Sequence, residues 1–181
     1  MFLQLRLKGK RMNKVIAIIG RAPCWGMDFL SLQSFISKDQ IDIMTIGKDC
    51  EYSGHVDFFA TYHPADIPLY KAKRNLAGQN TDYKIVCHVS EEKRPADLVF
   101  RYEHPSGSSA LLGAQAAIYS GYKKIVLCGC PLEGVNEQNY SYTSFQKGWI
   151  KHKAGLEDKV RSMSGWTAKF LGMPNKEFFE S

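Results

Sequence analysis

The sequence predicts an α/β protein of Rossmann-like type, with an open, mostly parallel sheet, helices on both faces and a single domain. Apolar runs at residues 15–19 and 125–128 are continuous rather than alternating, which is typical of strands that helices cover on both faces. A glycine follows each run directly. Segments with apolar residues at helical spacing lie between the strands, and 181 residues suffice for one domain with a sizeable core.

Strands and helices are predicted to alternate along the chain. The polar stretch at 134–147 has no apolar period and is expected to form a lid or a binding loop. Residues 1–12 are expected to be a flexible or mis-started extension, which leaves residues 13–181 as the domain. The predicted strands are residues 15–19, 41–46, 56–62, 85–88, 98–102 and 124–128, the predicted helices are residues 30–36, 66–76, 110–118, 149–160 and 167–171, and residues 161–166 are a short strand or turn.

Composition and charge narrow the class of protein. No apolar run is long enough to span a bilayer, and the N-terminus lacks the order of a secretion signal, so a cytoplasmic protein is expected. The net charge of +6 raises the question of nucleic acid, but the basic residues are dispersed apart from 8–14 and 71–74, and no nucleic-acid-binding motif accompanies them. An anionic small molecule suits this charge equally well.

The cysteines are predicted to be reduced and structural. They are five, an odd number, and most lie on or beside predicted core strands. None forms a metal-like spacing with a histidine, so no metal site is expected.

Two turns at strand ends are candidates for ligand binding. Gly20 ends the first strand, and the loop after it leads into a helix, although it is neither a Walker loop nor a dinucleotide fingerprint. Ser106-Gly107-Ser108-Ser109 lies before the helix at 110–118, where free N–H groups and the helix dipole favour an anion such as phosphate. Alternatively, Ser108 or Ser109 is only a helix N-cap.

His63 is the first candidate for a catalytic base. It follows the third strand directly and precedes Pro64, so it is expected to face the crevice where open α/β sheets bind ligands. Its ordinary pKa near 6.5 suits a base near neutral pH. The alternative is that His63 caps the next helix or bonds a backbone carbonyl. His88 also stands at a strand end.

Two segments resemble a known family. Gly20-Arg-Ala-Pro23, with Asp28 after it, resembles the Gly-Asn-Gly-Pro-Ser-Leu motif of bacterial lipooligosaccharide sialyltransferases and of the related motility-accessory domains that glycosylate flagellin. Ser108-Ser-Ala, with the segment from Ala117 to Gly129, is similar to their second motif, a Thr-Ser-Gly loop and a helix leading to Gly-Tyr-Lys-x-Ile-x-Leu-x-Gly. The chain is most similar to small stand-alone members carried by phages and prophages.

The resemblance implies a nucleotide-sugar, CMP-linked in the sialyltransferases, as donor substrate and no separate cofactor. It implies metal-independent glycosyl transfer in which a histidine deprotonates the acceptor. The family's catalytic histidine lies after the second motif, where this sequence has His152, and His63 is the other candidate because of its place at a strand end. Several positions depart from the motifs: Arg21 replaces Asn, and Ala22 and Ala110 replace Gly, which leaves the base and the sugar undefined. The resemblance implies nucleotide contact by residues 20–23 and 108–110. Taken with the turns at the strand ends, the predicted nucleotide-binding residues are Gly20, Arg21, Ala22, Pro23, Ser106, Gly107, Ser108, Ser109 and Gly129.

The predicted function is therefore that of a glycosyltransferase-like protein that binds a nucleotide or nucleotide-sugar at the carboxyl edge of its sheet. One alternative is a non-catalytic nucleotide-binding or phage interaction protein that keeps the fold. Another is a hydrolase of the same nucleotide-sugar. The acceptor is undefined, and the chain could also form an oligomer.

Overall fold

The computed structural model describes residues 14–47, 52–89, 96–100, 108–134 and 141–181; the predicted extension at residues 1–12 lies outside them. These residues form a seven-stranded sheet in the order β5-β4-β3-β2-β1-β6-β7, and every neighbouring pair is parallel. The predicted open α/β fold is confirmed. The strands are β1 Val15–Ile19, β2 Ile41–Ile46, β3 Phe58–Thr61, β4 Lys84–Cys87, β5 Leu98–Val99, β6 Lys124–Cys128 and β7 Val160–Ser162.

Helices cover the sheet on both faces. Single-turn 3-10 helices occupy Lys38–Gln40, Pro64–Asp66 and Lys153–Gly155. The α-helices are α1 Trp25–Leu32, α2 Ile67–Leu76, α3 Ser109–Tyr119, α4 Thr143–Lys151, α5 Gly165–Leu171 and α6 Lys176–Glu180.

The continuous apolar run of β1 divides between two cores. Ile16 and Ile18 belong to the core under α3, α4 and α5, whereas Val15, Ala17 and Ile19 belong to the core under α1, α2 and α6. This division is the reason that the run does not alternate with polar residues.

Helix α3 lies unusually close to the sheet because its buried face is built from small residues. A Cβ atom on Gly113 would lie 2.7 Å from the Met44 sulfur and 3.5 Å from the Ala60 methyl group. Ala114 and Ala117 are fully buried on the same helix. The helix packs across β1 to β4 and β6, so its N-terminus is held at the carboxyl edge of the sheet.

Three expectations about the second half of the chain are corrected. Helix α4 begins at Thr143 and ends at Lys151, so part of the predicted polar lid is helical, and the prediction of a helix at 149–160 is wrong for most of its length. Trp149 explains the shift, because its ring is completely buried and anchors α4 on the core.

Helix α6 was not expected from the sequence. Asn175 caps it, with its side chain accepting the N–H of Phe178, and Phe178 is buried. Residues 135–140 of the predicted lid and 101–102 of the predicted fifth strand lie outside the described residues.

Arg74 of α2 is half-buried in a hydrogen-bond network. Its guanidinium donates to the carbonyls of Tyr52, Gly54 and Asn80 and to Asn80 Oδ1, at 2.9–3.0 Å. Asn80 in turn accepts the N–H of Val56 and donates to its carbonyl. Arg74 therefore joins two loops at the amino end of β3.

Candidate functional site

The strand order creates a topological switch point between β1 and β6. The chain leaves β1 towards β2 in one direction, and it returns from β5 through α3 to β6 on the other side. Open α/β sheets bind ligands outside the carboxyl ends of the strands at such a point. Residues 20–23 and 129–132 follow β1 and β6 there, joined by bonds from Gly20 N to the Cys128 carbonyl, 2.7 Å, and from Ala22 N to the Gly129 carbonyl, 3.2 Å.

The two glycines at this point pack against the protein itself. A Cβ atom on Gly20 would lie 2.2 Å from the Gly129 carbonyl oxygen. Gly129 has a φ of +69°, and a Cβ atom on it would lie 2.4 Å from the Trp25 Cβ. Gly20 thus permits close backbone approach, as predicted, and the approaching group is the loop after β6. Nucleotide contact by either glycine stays a prediction.

Asp28 of α1 is hydrogen-bonded to the loop after β6 and to the residue that precedes α5. Its buried Oδ2 accepts the Gly129 N–H at 2.8 Å and the Ser164 hydroxyl at 2.7 Å. Asp28 lies in the first turn of α1, so its negative charge also compensates the positive end of that helix dipole. The site-residue predictions missed Asp28 and Ser164, although Asp28 was noted after the first family-like motif.

Three cysteines lie near these loops, and all three are free thiols. Cys128 and Cys130 are buried, and burial raises the pKa of the Cys128 thiol well above its ordinary value. Cys24 is partly exposed. Desolvation is the largest cause of its raised pKa, and the contact of its sulfur with Ser164 Oγ at 3.5 Å opposes this rise. The described cysteines are all free thiols, and Cys50 lies outside the described residues.

The N-terminus of α3 differs from that of α1 in its charge. Ser108 is buried and caps the helix, its Oγ accepting the Leu111 N–H at 3.3 Å, so the N-cap role proposed as an alternative is present. No acidic residue lies in the first turn of α3. The N–H groups of Ser109 and Ala110 precede the first intrahelical bond, from Leu112 N to the Ser108 carbonyl. Ser106 and Gly107 lie outside the described residues.

The segment after β6 is held in a strained conformation. Leu132 has a φ of +48°, in the left-handed region that a branched side chain rarely adopts. The Gln146 side chain donates to its carbonyl at 2.8 Å, and the Thr167 hydroxyl donates to the Cys130 carbonyl at 2.7 Å. Strain maintained by such contacts clusters at functional sites.

The structure places His63 and His88 at the carboxyl ends of neighbouring strands. His63 is exposed, and its main chain shapes the turn: its N–H donates to Thr61 Oγ1 at 2.9 Å, and its carbonyl accepts the Asp66 N–H. His88 is half-buried, and its ring centroid lies 4.9 Å from that of Tyr62. Tyr62 packs against the core under α3, so His88 lies on the face of the sheet that carries α3.

His152 lies elsewhere on the α3 face. It follows α4 and lines a groove of about 410 Å³ together with Gln115 and Tyr119 of α3 and with Phe100. Gln115 is seven residues beyond Ser108, which corresponds to roughly 10 Å along a helix axis. The parallel sheet therefore places residues 20–23, 108–109, 129 and 63 at its carboxyl edge, and His152 lies farther along α3.

Arg21 provides a cation at the carboxyl edge. It is exposed, and a Cβ atom on Gly47, which follows β2, would lie 3.4 Å from the Arg21 Cδ. The methylene groups of the Arg21 side chain thus lie between the ends of β1 and β2. A planar guanidinium in this position can pair with two phosphate oxygens at once.

Within the described ranges, no helix is long and apolar enough to cross a membrane, and no group of three or more metal-ligating side chains could hold a metal ion. No protein-family model matches the chain, and comparisons with curated proteins and with solved structures found no match.

Proposed function

We propose that the chain binds a nucleotide or nucleotide-sugar at the carboxyl edge of the sheet, with the phosphate at the N-terminus of α3. The observation that carries this proposal is the difference between the N-termini of α1 and α3, which both lie at the carboxyl edge. The first turn of α1 contains the Asp28 carboxylate, whereas the first turn of α3 contains no acidic residue. An anion is therefore more stable at α3 than at α1.

The loop at 20–23 then has a different role from a phosphate cradle. Its glycine packs on the loop after β6, and the N–H of Gly129 is already bonded to Asp28. Arg21 remains at the edge as a cation that can reach the phosphate or diphosphate from the side of β2. Residues 22–23 and 129 then contact the nucleoside.

The reaction that we propose, in line with the family resemblance, is metal-independent glycosyl transfer. The bond between the sugar anomeric carbon and the phosphate oxygen breaks, a bond to the acceptor hydroxyl oxygen forms, and a histidine takes the hydroxyl proton. The α3 N–H groups and Arg21 stabilise the negative charge left on the phosphate. Among the histidines, His88 lies on the face that carries α3, so we add it to His63 as a candidate base.

A non-catalytic nucleotide-binding protein is the second candidate. It is favoured by the contacts of Asp28, because a carboxylate occupies the Gly129 N–H that a substrate would otherwise use. A nucleotide-sugar donor labelled in the sugar separates the possibilities: a labelled acceptor indicates transfer, free labelled sugar indicates hydrolysis, and no turnover with retained binding indicates the non-catalytic protein.

Binding is tested with thermal shifts in cytidine, uridine, guanosine and adenosine mono- and diphosphates, since a ligand of the native state raises the midpoint. Replacing both serines, Ser108→Ala with Ser109→Ala, should weaken binding of the best nucleotide by about 1–3 kcal/mol if their hydroxyls donate to it. The matched control is Asn175→Ala, which removes the N-cap of α6 and should lower stability without changing affinity. Unchanged affinity in the double variant would restrict both serines to capping.

A further inference from the structure

Basic residues that are far apart in sequence lie at the amino edge of the sheet. Lys14 precedes β1, Lys123 and Lys124 stand at the start of β6, and Lys159 precedes β7. The Lys14 carbonyl accepts the N–H groups of Lys123 and Lys124, both at 3.3 Å, and the Lys159 carbonyl accepts the Ile125 N–H at 2.8 Å. These four lysines, with Arg161 of β7, are called the basic edge.

Within the part of the chain that the structure describes, no ion pair neutralises a charge of the basic edge, and Lys124 Nζ donates to the Ser181 hydroxyl. Among the described residues, none of its five members has a carboxylate within 4.0 Å, whereas Lys84, Lys153, Lys169 and Lys176 each have one. Acidic side chains do occur nearby in sequence, at Asp158 and on α6, where Glu180 pairs with Lys176 at 3.6 Å.

Two members of the basic edge are held close together by one ring. Lys124 Nζ lies 4.6 Å and Arg161 Cζ 4.9 Å from the centroid of Phe178. Burial lowers the pKa of Lys124, and the nearby Arg161 charge lowers it further. Like charges held this close are destabilising, and an anion beside them would remove that cost.

We propose that the basic edge binds the phosphate backbone of a nucleic-acid duplex without reading its base sequence. Charge complementarity carries the choice of partner: the four lysines lie at the amino ends of the adjacent strands β1, β6 and β7, and a row of cations is complementary to a row of phosphates. Phe178 is buried, so it offers no ring face on which a single-stranded base could stack. The sequence contains no base-reading motif, which is consistent with contacts to the backbone alone.

An anionic membrane is a less suitable partner. Membrane-surface binding relies on an amphipathic helix that buries an apolar face at the interface. α6, the helix beside the basic edge, has five residues, and Phe178 on it is used in the protein core. The basic edge also lies opposite the carboxyl edge, so this inference does not depend on the proposed nucleotide site.

Fluorescence anisotropy with a short labelled DNA duplex tests the proposal. If four lysines contact phosphates, the logarithm of the binding constant falls against log salt with a slope of about −3.6, or roughly 100-fold between about 50 and 200 mM salt. Lys123→Gln with Lys159→Gln should reduce the slope by about 2, one for each lysine removed, and weaken binding at low salt.

The control variant is Lys71→Gln with Lys73→Gln on α2, which removes the same charge on another part of the surface. Thermal midpoints verify that each variant is folded. The proposal is overturned if the control weakens binding as much as the basic-edge variant, if a single strand of equal length binds as tightly as the duplex, or if the protein binds phosphatidylserine vesicles and no duplex.

Discussion

Replacing Asp28 should destabilise the protein more than any exposed acidic residue does. In Asp28→Ala, the Gly129 N–H and the Ser164 hydroxyl lose the acceptor that they share at 2.8 and 2.7 Å. Hydrogen bonds to a charged group contribute about 1.5–3 kcal/mol each, and a buried donor left without a partner costs about 1–3 kcal/mol. Because the Ser164 hydroxyl can rotate towards solvent or Cys24, we expect a loss of about 3 kcal/mol rather than the full sum.

Urea unfolding followed by circular dichroism measures this loss as a lower midpoint at an unchanged slope. Asp158→Ala is the control, because Asp158 is exposed and its replacement should change the free energy of unfolding by no more than about 0.5 kcal/mol. Asp28→Asn keeps one acceptor oxygen and should fall between the two. If Asp28→Ala costs less than about 1 kcal/mol, the carboxylate does not hold the two loops together, and the argument that it directs the phosphate to α3 loses its basis.

Four further predictions follow from the described contacts. Gly129→Ala should lower the free energy of unfolding by more than about 2 kcal/mol, because Gly129 has a positive φ and its Cβ position contacts Trp25. As a control in the same urea assay, Gly26→Ala on α1 should raise the free energy of unfolding by about 0.5–1 kcal/mol, because the space around its Cβ position is open. Arg74→Lys should lower the free energy of unfolding by about 2–3 kcal/mol, because an ammonium group cannot donate to three carbonyls in the geometry of the planar guanidinium. Wild-type stability in this variant would contradict the prediction. Burial, and next the bond to Asp42, raises the pKa of Tyr122 far above its ordinary value. The unfolded chain therefore loses the phenol proton at a lower pH than the folded protein, so the free energy of unfolding should fall as the pH rises above about 10. In Tyr122→Phe, the share of this fall that is due to Tyr122 should disappear. Thiol titration of the denatured, unreduced protein should find all five cysteines reduced, and any disulfide would refute it.

The fold class could be predicted because the strands of a doubly covered sheet leave a strong sequence signal. β1, β2 and β6 were predicted within a residue of their observed bounds, since each is an apolar or β-branched run between glycine and polar residues. Their order could not be predicted, because it depends on which helix covers which face. The position of α4 was missed for a related reason: a single fully buried side chain, Trp149, decides where that helix lies, and its burial is a tertiary property.

The candidate site was predictable only in part. Turns that follow strands were predicted from glycine and serine positions, and the parallel sheet does bring residues 20–23 and 108–109 to one edge. The choice between histidines was not predictable, because neighbouring positions at a strand end point to opposite faces of the sheet. His63 and Tyr62 are adjacent in sequence, yet the ring in contact with Tyr62 is that of His88, which follows the next strand.

The charge of Asp28 explains why the turns before α1 and before α3, both predicted as ligand sites, are expected to differ in ligand binding. Asp28 and Gly129 are 101 positions apart, and the pairing of β1 with β6 brings their segments together. Once formed, the bond places a negative charge in the first turn of α1 and uses the N–H of the loop after β6. A phosphate approaching the edge would be repelled there and attracted to α3, whose first turn has no acidic residue. The fold itself thus distinguishes between two turns that the sequence presents as equivalent.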